Sequence, residues 1–485
     1  MNWWQWLFVS RLVLYERRLR IVKKKAARRI RRRAAHGKRS WTQHLELRRG
    51  TVDGRRSLHA RRVCRPRVVS GAASLVYLSV EVGVMQRLDT LAEFYELMRG
   101  TVPLRRTIVE HLLARDKGTE NPSFVDARER LRSTLETIRA NQRADGMCEL
   151  LTKPGGRRTA IATDYETEEL KKDLSFLETG SPAPAPATAG GFAPEAADEV
   201  AAVRELLRPV DNAVFITDRD GTVNNYCGRY RSSVQSAYNA VYLTRYAEAR
   251  TRRALILTSA PLTDHGLLSL SVLPPHRFLM AGSKGRELLD TEGKLHQTPI
   301  DPLKLETLNE LNRTLLQLLE SRQYEEFSLI GSGIQLKLGQ TTIARQDIYE
   351  SIEPERSLEF LKRVQGLVAE FDPEGATFRI EDTGYDIEIL LTRDAGDRDF
   401  NKGDGIAHVD RVAGLGLTGS VIVCGDTASD LPMVRAAAAT AEDLRVVFVT
   451  EDDGLKREVL RAAPRTVFVT RPDSLVLGLG EVAKE

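Results

Sequence analysis

Asp218-Arg219-Asp220-Gly221-Thr222 follows directly on the apolar run Ala213–Thr217 (AVFIT). Two carboxylates at i and i+2 leaving an extended segment can point into one cleft, because side-chain direction repeats every two residues. Their crowding is unfavourable unless a cation or a bound proton compensates. A second acidic pair, Asp426 and Asp430, lies in Gly425-Asp426-Thr427-Ala428-Ser429-Asp430, behind the apolar run Val421–Cys424 (VIVC). Hard oxygen ligands of this kind suit magnesium, which keeps several waters and binds through one or two carboxylates plus substrate phosphate. Between the two pairs stand the hydroxyl of Thr258, at the end of Ala254–Leu257 (ALIL), and Lys402 in Asn401-Lys402-Gly403-Asp404-Gly405. The hydroxyl can bond a phosphoryl oxygen or cap the next helix. A lysine flanked by glycine ahead of a helix start suits an anion. Singly, each segment has a plainer use as a solvated loop, a helix cap or a surface charge.

These residues need a scaffold that brings them to one place. Ala213–Thr217, Ala254–Leu257, Val421–Cys424 and Arg445–Val449 are short apolar runs, and helical patterns such as Ser233–Arg250 lie between them. That alternation predicts strands buried on both faces of a parallel sheet covered by helices. Ligands of such sheets bind beyond the carboxyl ends of the strands, where all four segments fall.

In this order the four segments resemble the motifs of the haloacid-dehalogenase superfamily, from roughly Asn212 to the C-terminus. The resemblance implies an α/β fold: a Rossmann-like parallel sheet with an inserted α/β cap, here preceded by a helical region. It further implies that Asp218 is a nucleophile carrying an aspartyl phosphate and that Asp220 is the general acid/base. Thr258 and Lys402 would bind phosphate. Asp218, Asp220 and Asp426 would hold Mg2+, with Asp430 as a further ligand or as its support.

Between Thr258 and Lys402 lie 143 residues, far more than a strand–helix crossover needs, and such insertions are usually functional. The resemblance implies a cap of the second type, at about 297–396. Within it Phe327–Gly339, Thr341–Ile352, a helix over Pro354–Phe371 and Thr377–Leu391 would form a small sheet with helices. Asp386-Ile387-Glu388-Ile389-Leu390, shortly before Lys402, is similar to trehalose-phosphate phosphatases and related sugar-phosphate phosphatases. That similarity implies that Glu388, with Lys337 and Arg345, binds sugar hydroxyls; exposed strand charge is the alternative for the two basic residues. The chain departs from that pattern in carrying Thr258-Ser259-Ala260 where Ser-Gly-Arg is usual, and Arg219 where an apolar residue is usual. The function implied is magnesium-dependent hydrolysis of a phosphorylated sugar, trehalose 6-phosphate or a similar one. A phosphosugar mutase on the same scaffold and a noncatalytic regulatory or assembly subunit are the alternatives.

The remainder of the chain divides by composition. Residues 1–68 carry 22 Lys and Arg against three acids, while 69–485 carry 50 basic and 64 acidic residues, so the net charge of +5 hides a basic arm on an acidic body. The arm reads as disordered and solvated; contact with a membrane or nucleic acid is the lesser expectation, and no specific nucleic acid is expected. The apolar run Trp3–Tyr15 is too short to span a bilayer. Residues 69–178 read as helical from about Val84, with Leu88, Leu91, Tyr95 and Met98, and then Leu131, Leu135 and Ile138, at spacings of three and four. They are expected to form a small bundle packing on itself or on a partner. Residues 179–196 (TGSPAPAPATAGGFAPEA) read as a linker before the phosphatase domain, 197–485. The cysteines Cys64, Cys148, Cys227 and Cys424 lack metal-site spacing, which suits a reducing, cytoplasmic setting.

Overall fold

A computed structural model describes residues 87–114, 121–182, 194–263, 265–392 and 399–485. The basic arm 1–68 and most of the Pro/Ala/Gly segment lie outside the described residues. The first amphipathic stripes become α1 (Leu91–Leu113) and α2 (Pro122–Asn141), which bury Leu91, Tyr95 and Met98, and Leu131, Leu135 and Ile138. Thr90 and Glu93 close a reciprocal capping box on α1, and Asn121 caps α2 ahead of Pro122.

The stretch expected to be wholly helical contains a hairpin. Met147–Leu151 (β1) and Arg158–Ala162 (β2) pair antiparallel before α3 (Asp164–Thr179). These five-residue strands have too little periodicity to declare themselves; burial of Cys148, Leu150 and Ile161 against the helices favours them.

Then follow α4 (Pro194–Leu207), β3 (Ala213–Thr217), α5 (Ala237–Arg250), β4 (Thr251–Leu257), β5 (Leu279–Gly282), β6 (Glu287–Leu289) and β7 (Leu295–Gln297). An insertion comprises α6 (Pro302–Glu320), β8 (Ile334–Lys337), β9 (Gln340–Ala344), α7 (Pro354–Phe371), β10 (Phe378–Asp382) and β11 (Asp386–Leu391). The chain closes with α8 (Lys402–Ala413), β12 (Ser420–Gly425), α9 (Leu431–Ala438), β13 (Asp443–Val449), α10 (Asp453–Ala462), β14 (Thr466–Val469) and α11 (Pro472–Val482).

The main sheet runs β14-β13-β12-β3-β4-β5-β6-β7, parallel from β14 to β5 and antiparallel beyond. Its strands are buried on both faces by alternation. Val214 and Ile216 join the core formed with α8, α9 and α10, while Ala213 and Phe215 join a core that includes α5, α11 and the bundle. That second core is continuous from Leu91 and Phe94 to Phe215 and Tyr246, so α1–α3 cover one face of the sheet rather than packing only on themselves. The composition change at 179–196 therefore does not separate two packing units. α4, which begins inside it at Pro194, packs Val203 against Gly478 of α11, where a Cβ would lie 2.5 Å from Val203 Cγ1.

The insertion is an antiparallel sheet, β10-β11-β9-β8, with α6 and α7 on one face. Ile343, Ile387, Ile389 and Leu391 meet Leu311, Phe360 and Val364 there, and Phe327 stacks on Phe360 with ring centroids 3.9 Å apart. The turn after β1 touches this cap: Thr152 Oγ1 donates to Glu325 at 2.5 Å, and Arg157 lies 3.1 Å from Glu326.

Candidate active site

β3 and β12 are neighbours, and the Asp218 backbone N–H donates to the Cys424 carbonyl at 3.1 Å. The acidic turns that end these strands therefore meet. Carboxylate oxygens of Asp218, Asp426 and Asp430 lie within 4.8 Å of one another. Lys402, the first residue of α8, places Nζ 2.9 Å from Asp218 Oδ1 and 2.5 Å from Asp430 Oδ1. Asn401 holds this helix start by accepting from the N–H groups of Gly403 and Asp404. Asp430 Oδ2 accepts from the backbone N–H groups of Asp426 and Thr427, both at 3.0 Å, and so fixes the second acidic turn. Thr222 Oγ1 donates to Asp426 Oδ1 at 2.8 Å and ties the two turns together. Gly221 has φ +87°, and a Cβ there would lie 2.2 Å from Asp426 Oδ2, so no side chain fits without moving that carboxylate.

Burial pushes Asp218 up to about 7; Lys402 opposes the rise and Asp430 adds to it. Burial, then the charges of Asp218 and Asp430, raise Asp426 well above the usual carboxylate range. For Asp430 the burial effect is outweighed by Lys402 and by its hydrogen bonds, and its carboxyl is held below the usual range. Burial works against the Lys402 charge, but Asp218 and Asp430 hold the ammonium up. One cation thus faces three carboxylates, and two of these resist ionisation.

A divalent metal fits that imbalance. The donors are hard oxygens, and Asp218 Oδ1, although close to Lys402 Nζ, makes no aligned hydrogen bond among the described residues. The Asp220 carboxylate, expected among the metal ligands, stands outside the group. Its Oδ1 is held by Arg219 Nη1 at 2.5 Å and by Ser233 Oγ at 2.7 Å. A neighbouring guanidinium has captured it.

Thr258 is buried at the end of β4, and its Oγ1 accepts from the Ala260 N–H at 3.2 Å, the turn-capping use open to it from sequence. In the cap, pairing puts Gln335 opposite Thr342 and Thr342 opposite Glu388, so these residues share the sheet face away from α6 and α7 with Lys337 and Gln340. That face is polar yet buried at Gln335, Lys337, Gln340 and Thr342. Burial lowers Lys337 to about 8, Glu388 opposes this, and Lys284 and Lys402 push the same way as burial. The cap's polar face and the Lys402 site are thus within electrostatic reach of each other.

Arg345 does not belong to this face's free polar groups. Its guanidinium binds both Asp382 oxygens, at 2.7 and 3.1 Å, and Ser357 Oγ at 2.8 Å, which fastens the cap sheet to α7. Nε, Nη1 and Nη2 of Arg345 each thus make a contact within the cap. Sequence reasoning also missed residues. Thr222, Ser233 and Lys284 shape or flank the site, and only Thr222, adjoining the first motif, carried any local signal.

A family model described as "Trehalose-6-phosphate phosphatase, C-terminal" matches residues 215–475, more than half of the chain. The chain belongs to the trehalose-6-phosphate phosphatase family. A second model of that family, its N-terminal helical bundle domain, matches residues 90–185. Among curated relatives of this trehalose-6-phosphate phosphatase family member, a UDP-forming alpha,alpha-trehalose-phosphate synthase 2 of Aphelenchoides avenae is 29% identical over 432 residues, covering 81% of this chain and 32% of the relative. A trehalose-phosphatase of Brugia malayi is 31% identical over 280 residues, 56% of this chain and 57% of the relative. A trehalose-phosphatase of Caenorhabditis briggsae is 31% identical over 291 residues, with 57% and 67% covered. The chain thus spans about a third of the length of the synthase relative and between half and two thirds of the phosphatases. The C-terminal domain of a Candida albicans trehalose-6-phosphate phosphatase superposes with a TM-score of 0.39 at 12% identity, covering 59% of this chain and 96% of that domain.

Proposed function

We propose that the protein is a magnesium-dependent phosphatase that hydrolyses trehalose 6-phosphate, or a closely similar phosphorylated sugar, through an aspartyl phosphate on Asp218. The observation that carries this reading is the grouping of Asp218, Asp426 and Asp430 around Lys402 at the carboxyl ends of β3 and β12. The family membership and the substrate named for the phosphatase relatives support the choice of sugar.

In the first step an Asp218 carboxylate oxygen attacks phosphorus and the bond from phosphorus to the sugar oxygen breaks. Asp220 gives its proton to that departing oxygen. In the second, Asp220 takes a proton from water as the water oxygen attacks phosphorus. The bond to Asp218 breaks, and inorganic phosphate leaves. Lys402 balances charge on the phosphoryl oxygens, and the Thr258 hydroxyl gives them a donor. Asp218 and Asp426, with Asp430 in support, would hold magnesium, which would supply positive charge to offset the repulsion between anionic Asp218 and an anionic phosphate. Glu388 and Lys337, on the cap's polar face, bind sugar hydroxyls.

Phosphate release from a panel of phosphorylated mono- and disaccharides, with magnesium and without any bisphosphate activator, tests the reading. Release should be fastest from the phosphorylated disaccharide. Turnover that needs a bisphosphate and yields an isomeric sugar phosphate would replace it with a mutase.

A further inference from the structure

We infer that Tyr165, carried by α3 of the N-terminal bundle, and Arg219 are positioning residues for Asp220: they fix its Oδ1 and leave its Oδ2 to carry the proton that the reaction moves. The inference rests on the function proposed above, in which Asp220 is the proton donor.

Asp220 Oδ1 receives Arg219 Nη1 at 2.5 Å and Ser233 Oγ at 2.7 Å. The donor inventory around Ser233 leaves little freedom. Its Oγ accepts from Arg219 Nη1 at 3.2 Å and from Asn224 Nδ2 at 3.1 Å, which uses both lone pairs and turns its single hydrogen toward Asp220. Asn224 has two amide hydrogens, and its two shortest contacts are to Ser233 Oγ and to Tyr165 OH at 3.0 Å. Tyr165 OH accepts there and donates to the Val234 carbonyl at 3.2 Å. Burial holds this phenol well above its usual range, so it keeps the hydrogen that it donates. Arg219, Asn224 and Ser233 are each no more than 2% exposed, so water does not readily replace these partners.

With Arg219 and Ser233 aimed at Oδ1, and Asn224 Nδ2 a more distant third donor at 3.5 Å, a proton on that oxygen would collide with one of them. The neutral acid is therefore protonated on Oδ2, which takes part in none of these contacts. The bundle thus reaches the candidate acid/base through one hydroxyl, Tyr165, and two core side chains. Arg219, the departure from the usual motif, is the other anchor.

The test is the dependence of kcat/KM on the leaving group in the full chain. A nitrophenyl phosphate departs as a stable phenolate and gains little from a proton donor, whereas a sugar phosphate departs as an alkoxide and depends on one. Asp220→Asn calibrates the assay and should cost the sugar phosphate roughly a hundredfold or more relative to the aryl phosphate. Tyr165→Phe, which keeps the ring, should cost the sugar phosphate about tenfold and the aryl phosphate less than about threefold. Arg219→Met should show the same selectivity with a larger loss, and if it fails to fold, Tyr165→Phe decides alone. Equal losses on both substrates, or none, in Tyr165→Phe would overturn the inference while leaving the proposed function standing. Absence of selectivity in Asp220→Asn would overturn both.

Discussion

Arg229 of the core and Glu166 of α3 form a buried ion pair, Nη2 to Oε1 at 2.9 Å, with neither side chain more than 2% exposed. Ser232 Oγ also donates to Glu166, at 2.6 Å, and Arg229 Nη2 donates to the Ala162 carbonyl, while Arg229 Nε and Nη1 have no hydrogen-bond partner among the described residues. Glu166→Ala should therefore lower folding stability by about 3–5 kcal/mol, because it strands a guanidinium away from water. The denaturant midpoint measures this, and a change under about 1 kcal/mol would mean that Arg229 finds another partner or water.

The same contact bears on truncation. A chain beginning near Glu195 keeps all four motifs but loses Glu166, and it also loses Asp173, whose Oδ1 accepts from the N–H of Ala237 at the start of α5 at 2.7 Å. It uncovers the bundle-facing side of the main core as well. The shortened chain should aggregate or melt well below the full chain in a thermal scan. An equal melting temperature would show that the bundle is dispensable for folding.

Three motifs were legible because each follows a doubly buried apolar run and opens on an acidic turn or a hydroxyl, and the fourth because Lys402 stands beside Gly403 at a helix start. Helix α7 was legible to its ends, since Pro354 opens it and an apolar stripe runs to Phe371. The hairpin of β1 and β2 was not, because ten residues without strong alternation gain their structure from what they pack against. Nor could sequence place Asp220 outside the carboxylate cluster, or commit Arg345 to Asp382. Both outcomes depend on which charge lies nearest in space, and in the first case the decisive residue was Arg219, the adjoining one.

Gly221→Ala should damage metal binding more than folding. The new methyl would press on the Asp426 carboxylate and Ala would be strained at this positive φ, so magnesium affinity and kcat should fall by roughly a hundredfold while folding stability falls by about 1–2 kcal/mol. Titrating activity against magnesium separates the two effects, and an unchanged magnesium requirement would show that the Asp426 side chain does not hold the ion.

Burial raises Asp218 to about 7, so the folded metal-free protein binds a proton there that the unfolded chain releases near pH 4. That contribution to stability is complete below about pH 4 and is lost as pH rises toward 7. In chelator, the stability of the wild type relative to Asp218→Asn should therefore fall across that window, and saturating magnesium should abolish the fall. A flat difference in chelator would mean that Asp218 is ionised throughout.

Glu388→Ala should lower kcat/KM for a phosphorylated disaccharide by about ten- to a hundredfold and spare an aryl phosphate, since only the sugar has hydroxyls for the cap's polar face. Arg345→Ala, by contrast, removes the tie to Asp382 and Ser357 and should lower the melting temperature. Equal loss on both substrates in Glu388→Ala would make Glu388 a structural residue of the cap sheet.

Phosphate release by Asp218→Asn tests the proposed nucleophile most directly. An amide cannot form the acyl phosphate, so the rate should fall by roughly a thousandfold or more while circular dichroism stays that of the folded parent. Retention of about a tenth of the parent rate by the folded variant would contradict the assignment of Asp218 as nucleophile.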